Sequence, residues 1–337
     1  MGPTFLDTIE QLDATHVRWR GKRCVYFGGC DYLRLTWHPS IRRAVRIGVD
    51  RVGLNVGASR MTTGNHPVYA ATETRLAEHF AVPAVALTSS GYLTNLIVAQ
   101  AFRGLVDTVL IDEAAHSSLN DAACLLGGNV IQFRHLDSGD LRRKISGLKG
   151  RGMVMTDAVF AQDGWIAPLR EYLSVMPCDA LLLADDSHGV GVLGATGRGS
   201  LEHWELGSCR RVIQTATFSK AFGVYGGAVM GSRELRKRIA KAGAFVGNTP
   251  LPPHLVAGIG AAIGVLKRSA ARRRRLIRNA NRIAAAIDRP ESGFPVITVI
   301  PDRPAQARRL VRGLSAAGIH PPFIRYPGGV APGFFRF

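Results

Sequence analysis

From about residue 70 onward, short uninterrupted apolar runs alternate with segments whose apolar side chains recur every third or fourth position. Residues 72–80 keep the helical period, 84–87 read as a strand, and 92–102 return to the helical period. Further apolar runs at 109–111, 130–131, 153–155, 180–183, 212–214 and 227–230 are strand candidates. Strands alternating with helices predict an α/β fold with a mainly parallel sheet, and strands without polar alternation are expected to be buried on both faces. A strand at 296–300 and a helical pattern over 305–317 predict a small α/β unit at the C-terminal end. The expected division is an N-terminal segment over 1–35, a large domain over 36–268 and a small, apparently short domain over 269–337.

Composition narrows the class. With 337 residues and 46% hydrophobic content, the chain has enough apolar surface for a substantial core. The longest apolar stretch, 256–266, contains glycines and is too short to cross a bilayer, and the first ten residues lack a secretory pattern. The five cysteines are odd in number and scattered, which suggests neither a metal site nor a disulfide framework and fits a cytoplasmic protein. A formal charge of +18 raises nucleic acid as a partner, but only 7 of the 43 basic residues are lysines and they form no continuous patch. The one dense cluster, Arg272 to Arg275 with Arg278 and Arg282, lies in a helical pattern and is read as a solvated helix face. A nucleic-acid patch, or a site attracting an anionic substrate such as an acyl-coenzyme A, are the alternatives.

In open α/β sheets, ligands bind beyond the carboxyl ends of the strands, so the polar residues that close the apolar runs are the candidates for chemistry. Leu87-Thr88-Ser89-Ser90-Gly91-Tyr92 runs from strand to helix start, where exposed amides and the helix dipole favour phosphate. Most such turns are merely caps. His116 follows the run at 109–111 and has the flat ring to stack on an aromatic cofactor; standing alone it is an ordinary loop histidine. Asp185 closes the run at 180–183, and a carboxylate buried there needs a cationic partner such as a protonated pyridine nitrogen or a structural ion pair. His188 stands three residues on. Thr217 and Lys220 follow the run at 212–214, and a lysine in a confined site serves as amine nucleophile and base, although most lysines are solvated.

Together these segments resemble the α-oxoamine synthases, class II aminotransferase-like members of the fold-type I pyridoxal-phosphate enzymes. The resemblance spans nearly the whole chain. It includes Asp31-Tyr32-Leu33, Gly57-Ala58-Ser59-Arg60, Gly64-Asn65-His66-Pro67, Asp163-Gly164-Trp165, Asp185-Asp186-Ser187-His188-Gly189 and Thr217-Phe218-Ser219-Lys220-Ala221-Phe222-Gly223. It is nearest to the 8-amino-7-oxononanoate synthase and glycine C-acetyltransferase branches. The resemblance implies a large domain with a mainly parallel sheet, a small C-terminal domain, and pyridoxal 5'-phosphate as cofactor. It makes Lys220 the Schiff-base lysine, Asp185 the pyridine-nitrogen partner, His188 the ring-hydroxyl contact and His116 the stacking residue. Ser90, Gly91, Tyr92 and Thr217 become phosphate ligands. Thr249 is implied to reach the phosphate from a neighbouring subunit, hence a homodimer with shared active sites. Arg336 is implied to bind the substrate carboxylate, with Arg325 as its substitute, and Cys30 and Arg60 fall in motifs on the substrate side. The implied reaction condenses a small amino acid with an acyl-coenzyme A thioester and releases carbon dioxide.

Five features depart from the family pattern. Cys30 stands where an asparagine is usual, and Asp157 and Ala161 replace a glutamate and a serine. The family usually has two arginines near Arg336, and its members continue past Phe337. Two rival readings stay open: another reaction on the same scaffold, such as transamination, and a non-catalytic paralogue that serves as a binding protein. A nucleic-acid-binding role ranks last.

Overall fold

A computed structural model of the chain describes residues 8–148, 150–207, 209–290, 293–325 and 333–337. The chain opens with a small antiparallel sheet of β1 (Ile9–Gln11), β2 (His16–Trp19) and β3 (Lys22–Val25). These strands are short and partly exposed, so they carry little of the apolar signal on which strand expectations rest. Helices α1 (Pro39–Val52) and α2 (Pro67–Phe80) follow. Helix α2 begins five residues before the expected start, because Pro67 suits a first helical position and the His66 ring accepts from the Val68 amide.

The central sheet is built from β4 (Ala84–Thr88), β5 (Thr108–Asp112), β6 (Asn129–Phe133), β7 (Gly152–Asp157), β8 (Leu181–Asp185), β9 (Val212–Thr217) and β10 (Gly227–Gly231). Its order is β4-β10-β9-β8-β7-β5-β6, and β10 alone runs against the others. Between the strands lie α3 (Gly91–Phe102), α4 (Ser117–Leu126), α5 (Ser138–Ile145), α6 (Leu169–Val175) and α7 (Ser200–His203). Alternate strand residues feed opposite faces. Val85 and Leu87 pack with α2 and with α10 (Pro253–Leu266), whereas Ala86, Val109 and Ile111 pack with α3 and α4. The mainly parallel sheet is as expected. Burial on both faces fails at the edge strand β6, which is largely exposed, with Val130 open to solvent.

After β10 come α8 (Arg233–Ile239), α9 (Gly243–Val246) and α10, then the arginine-rich α11 (Ala270–Ala286). This helix corrects one expectation. Arg273 is only 7% exposed and donates to the carbonyls of Leu266 and Ala195, so the arginine run is not a single solvated face. A third sheet holds β11 (Thr298–Val299), β12 (Phe323–Ile324) and β13 (Phe334–Arg336), with α12 (Pro304–Ala316) alongside in sequence. The strand expected over 296–300 shortens to two residues.

Candidate active site

Five parallel strands of the central sheet end in a polar residue at the same edge: Thr88, Asp112, Asp157, Asp185 and Thr217. The strands explain the shared depth, since parallel pairing in register sets Asp157 opposite Asp185.

Asp185 is 4% exposed and tightly held. Its Oδ2 accepts from Asn95 Nδ2 at 2.7 Å and its Oδ1 from the Ser187 amide at 3.0 Å. Asn95 is a hub that the sequence reading passed over. Its amide also donates to Ser118 Oγ and its oxygen accepts from Thr215, so β9, α3 and α4 all fix the orientation of Asp185. The available signal was its place one turn inside α3, facing the strand ends. Burial, and then the facing Asp185 carboxylate, push Asp157 well above the usual carboxylate range. Asp157 Oδ2 accepts from the His116 amide at 2.7 Å.

Lys220 Nζ lies 2.8 Å from His188 Nε2, and His188 Nδ1 lies 2.6 Å from the Tyr32 hydroxyl. Burial, reinforced by the Lys220 charge, holds the His188 imidazolium pKa well below its ordinary value, so the ring is neutral. Desolvation also lowers the Lys220 pKa, against the pull of the nearby Asp185 carboxylate. A neutral imidazole between these two groups has two tautomers. With Lys220 charged, the ammonium donates to Nε2 and Nδ1–H donates to Tyr32; with Lys220 neutral, Tyr32 donates to Nδ1 and Nε2–H donates to the amine. Tyr32, to which the sequence reading gave no role, thus completes a hydrogen-bonded chain to Lys220.

His116 caps α4 through its Nδ1, which accepts from the Ser118 amide. Its ring is open on one side, yet partial desolvation still lowers its pKa, opposed by Asp185.

Ser90 caps α3 by accepting from the Leu93 amide, which leaves the first amides of the helix, at Gly91 and Tyr92, aimed past its end. A Cβ on Gly91 would fall 2.6 Å from Thr217 Cβ, so glycine is what brings these amides to the Thr217 side chain. Ser89 adjoins them, accepting from Asn248 and donating to the Thr249 carbonyl of the same chain at 3.4 Å. One chain alone therefore brings Thr249 to this corner.

The substrate side is assembled from distant segments. Arg336 donates to the Ala161 carbonyl at 3.1 Å and points Nη2 at Cys30 Sγ, 4.0 Å away. Its charge is felt at Lys220 and His188. Ala161, which lacks the usual hydroxyl, contributes through its backbone instead. Arg325 is exposed and lies over the Phe323 ring. Arg60 is committed elsewhere, in a bidentate pair with Glu73 at 2.5 and 3.1 Å and a hydrogen bond to Asn65. Residues 326–332, which include part of the segments quoted around Arg325 and Arg336, lie outside the described residues.

A carboxylate at one end, a lysine at the other and a glycine-lined anion corner suit pyridoxal phosphate: Asp185 for the ring nitrogen, Lys220 for the aldehyde, the α3 amides for the phosphate. The chain matches the aminotransferase class I and II family over residues 24–303. The chain belongs to that family, in its α-oxoamine synthase branch. The 8-amino-7-oxononanoate synthase of Methylococcus capsulatus is 37% identical over 94% of this chain and 85% of its own length. The serine palmitoyltransferase of Sphingomonas wittichii superposes with a TM-score of 0.91 at 26% identity, covering 98% of this chain and 86% of the other. That of S. paucimobilis, solved with bound PLP and myriocin, gives 0.91 at 25%, with the same coverage. As a member of this branch the chain is a pyridoxal-phosphate-dependent transferase. No helix among the described residues is long and apolar enough to cross a membrane.

Proposed function

We propose that this synthase condenses a small amino acid with an acyl-coenzyme A thioester, releasing the thiol and carbon dioxide, as an 8-amino-7-oxononanoate synthase does. The observation that carries the reading is the convergence of Arg336 on the Tyr32–His188–Lys220 chain, which sets a carboxylate receptor beside a base. Pyridoxal phosphate, when bound, supplies an electron sink for a carbanion at the amino acid Cα. Lys220 would hold it covalently and, as a free amine, would take the Cα proton. Neutral His188 would accept a hydrogen bond from the protonated Lys220 through Nε2 and donate to Tyr32 through Nδ1. Asp185 keeps the ring nitrogen protonated, and Asn95 keeps Asp185 aimed. Gly91, Tyr92, Ser90 and Thr217 hold the phosphate, His116 covers one ring face, and Arg336 pairs with the substrate carboxylate. The Cα carbon then bonds to the thioester carbonyl, the thiolate leaves, and the carboxyl group departs as carbon dioxide.

The large domain over 36–268 carries the cofactor side in this reading, and 269–337 carries Arg336. We further propose a cytoplasmic homodimer. Leu54 and Met61, exposed at 70% and 55%, support a second copy covering that segment, and Thr249 would then border both sites.

The test is free-thiol release in a matrix of small amino acids and acyl-coenzyme A thioesters. Release that requires both substrates is the expected result. A keto acid formed from the amino acid alone would instead support transamination on the same scaffold.

A further inference from the structure

Beside the site lies a cavity of about 440 Å³, within the range that takes a small organic ligand. It reaches Cys30, Tyr32 and Arg336 at the site and is walled on its far side by α11. The helix turns one stripe toward it: Arg272, Arg275, Leu276, Asn279, Ala280 and Ile283 recur at spacings of three and four. The arginine run therefore divides by direction. Arg273 is buried and spent on backbone carbonyls, whereas Arg272 and Arg275 line the cavity.

The lining is amphipathic. Val25, Phe27, Val296 and Ile297 join Leu276 and Ile283 in apolar wall, while four arginines, Arg34, Arg272, Arg275 and Arg336, line it together with one acidic side chain, Asp31. Asp31 is already engaged by the amides of Leu35 and Thr36 at 2.8 and 3.1 Å. Arg34 donates to the Tyr26 carbonyl and Arg272 to the Leu33 carbonyl through Nη1 alone; Arg275 makes no hydrogen bond or ion pair among the described residues. An apolar chain with an anionic group matches such a lining, and a neutral or cationic ligand does not.

We propose that this cavity is the acyl-donor subsite and that Arg272 and Arg275 engage an oxyanion carried by the donor. That oxyanion is either a carboxylate at the far end of the acyl chain or a phosphate of the thioester carrier. The proposal rests on the acyl-transfer reading and adds to it the residues that select the donor.

The test compares the holoenzyme with the double variant Arg272→Gln/Arg275→Gln. Donors of equal chain length end in methyl or carboxylate and are carried on coenzyme A or on phosphate-free N-acetylcysteamine. Calorimetric binding of an unreactive thioether analogue of each donor is measured in parallel. KM for the matching donor and Kd for its analogue should each rise about tenfold, with the visible cofactor absorbance and the KM for amino acid unchanged. A rise confined to coenzyme A donors assigns the phosphate, and one confined to carboxyl-ended donors assigns the carboxylate. Donor KM and analogue Kd within twofold of the parent overturn the proposal, as does failure of every analogue to bind the parent enzyme. Should no donor release thiol from the parent enzyme, the acyl-transfer reading fails, and the calorimetry still decides whether the arginines bind an anion-bearing chain.

Discussion

The edge of the central sheet and the C-terminal side of the site are built on opposite plans. At the sheet edge each group sits at or just past a strand end, and buried hydrogen bonds from neighbouring elements fix it, as Asn95 and Ser187 fix Asp185. On the other side, Arg336 is held by one backbone carbonyl from a loop 175 residues away and faces a sulfur at 4.0 Å. The first region is set by the sheet before any ligand arrives, whereas the second depends on a loop and a short strand staying in place. Disturbing the first should therefore disable chemistry outright, and disturbing the second should weaken substrate binding while leaving the cofactor attached.

The largest effect is expected at Asp185. Asp185→Asn retains the phosphate corner and binds cofactor, but loses Cα proton exchange by about a hundredfold or more, because a neutral amide does not hold the ring nitrogen protonated. Deuterium exchange into the amino acid measures this, and near-normal exchange would refute the role. Next is Arg336→Ala, which should weaken amino-acid binding by about 2 to 5 kcal/mol, the cost of truncating one partner of a buried charge pair, with cofactor absorbance intact. If titration shows no change there but a large change in Arg325→Ala, the carboxylate site moves to Arg325.

Gly91→Ala sharpens the comparison from the cofactor side. The added methyl collides with Thr217, so a cost of about 1 to 3 kcal/mol should appear in thermal stability and in the cofactor Kd, while amino-acid affinity of the loaded enzyme stays constant. The smallest effect concerns the loop that carries Ala161. His135 lies 2.9 Å from Asp112 and 3.6 Å from Asp163, the second too long for a hydrogen bond but close enough for ion pairing. Partial burial opposes its charge, but these two carboxylates outweigh it and raise the imidazole to about 9. The folded state thus binds this proton more tightly than the unfolded chain. Its stabilisation is fully present below the ordinary value of 6.5 and is lost as pH rises through about 9. The melting difference between the parent and His135→Gln should follow that profile; a difference that persists above pH 9 would assign His135 a packing role instead.

The sheet edge was legible in sequence because a parallel strand announces itself as an apolar run, and the residue that closes the run must lie at the edge. The substrate side was not legible in the same way. Cys30 and Arg336 meet only because segments at opposite ends of the chain converge on the loop around Ala161. The N-terminal strands escaped notice since short exposed strands have no apolar alternation to detect. The arginine run misled for a geometric reason: consecutive helical residues turn by roughly 100° each, so four arginines in a row cannot share one face, and Arg273 had to point inward. Asn95 was visible as a polar residue in an apolar helix, but its link to Asp185, 90 positions away, is a property of the fold.

The central claim is that Lys220 carries the cofactor, and borohydride reduction followed by peptide mass spectrometry tests it most directly. A stable pyridoxyl-phosphate adduct is expected on the peptide containing Lys220 in the parent enzyme and none in Lys220→Ala. An adduct on a different lysine, or a reducible adduct that persists in Lys220→Ala, would contradict it.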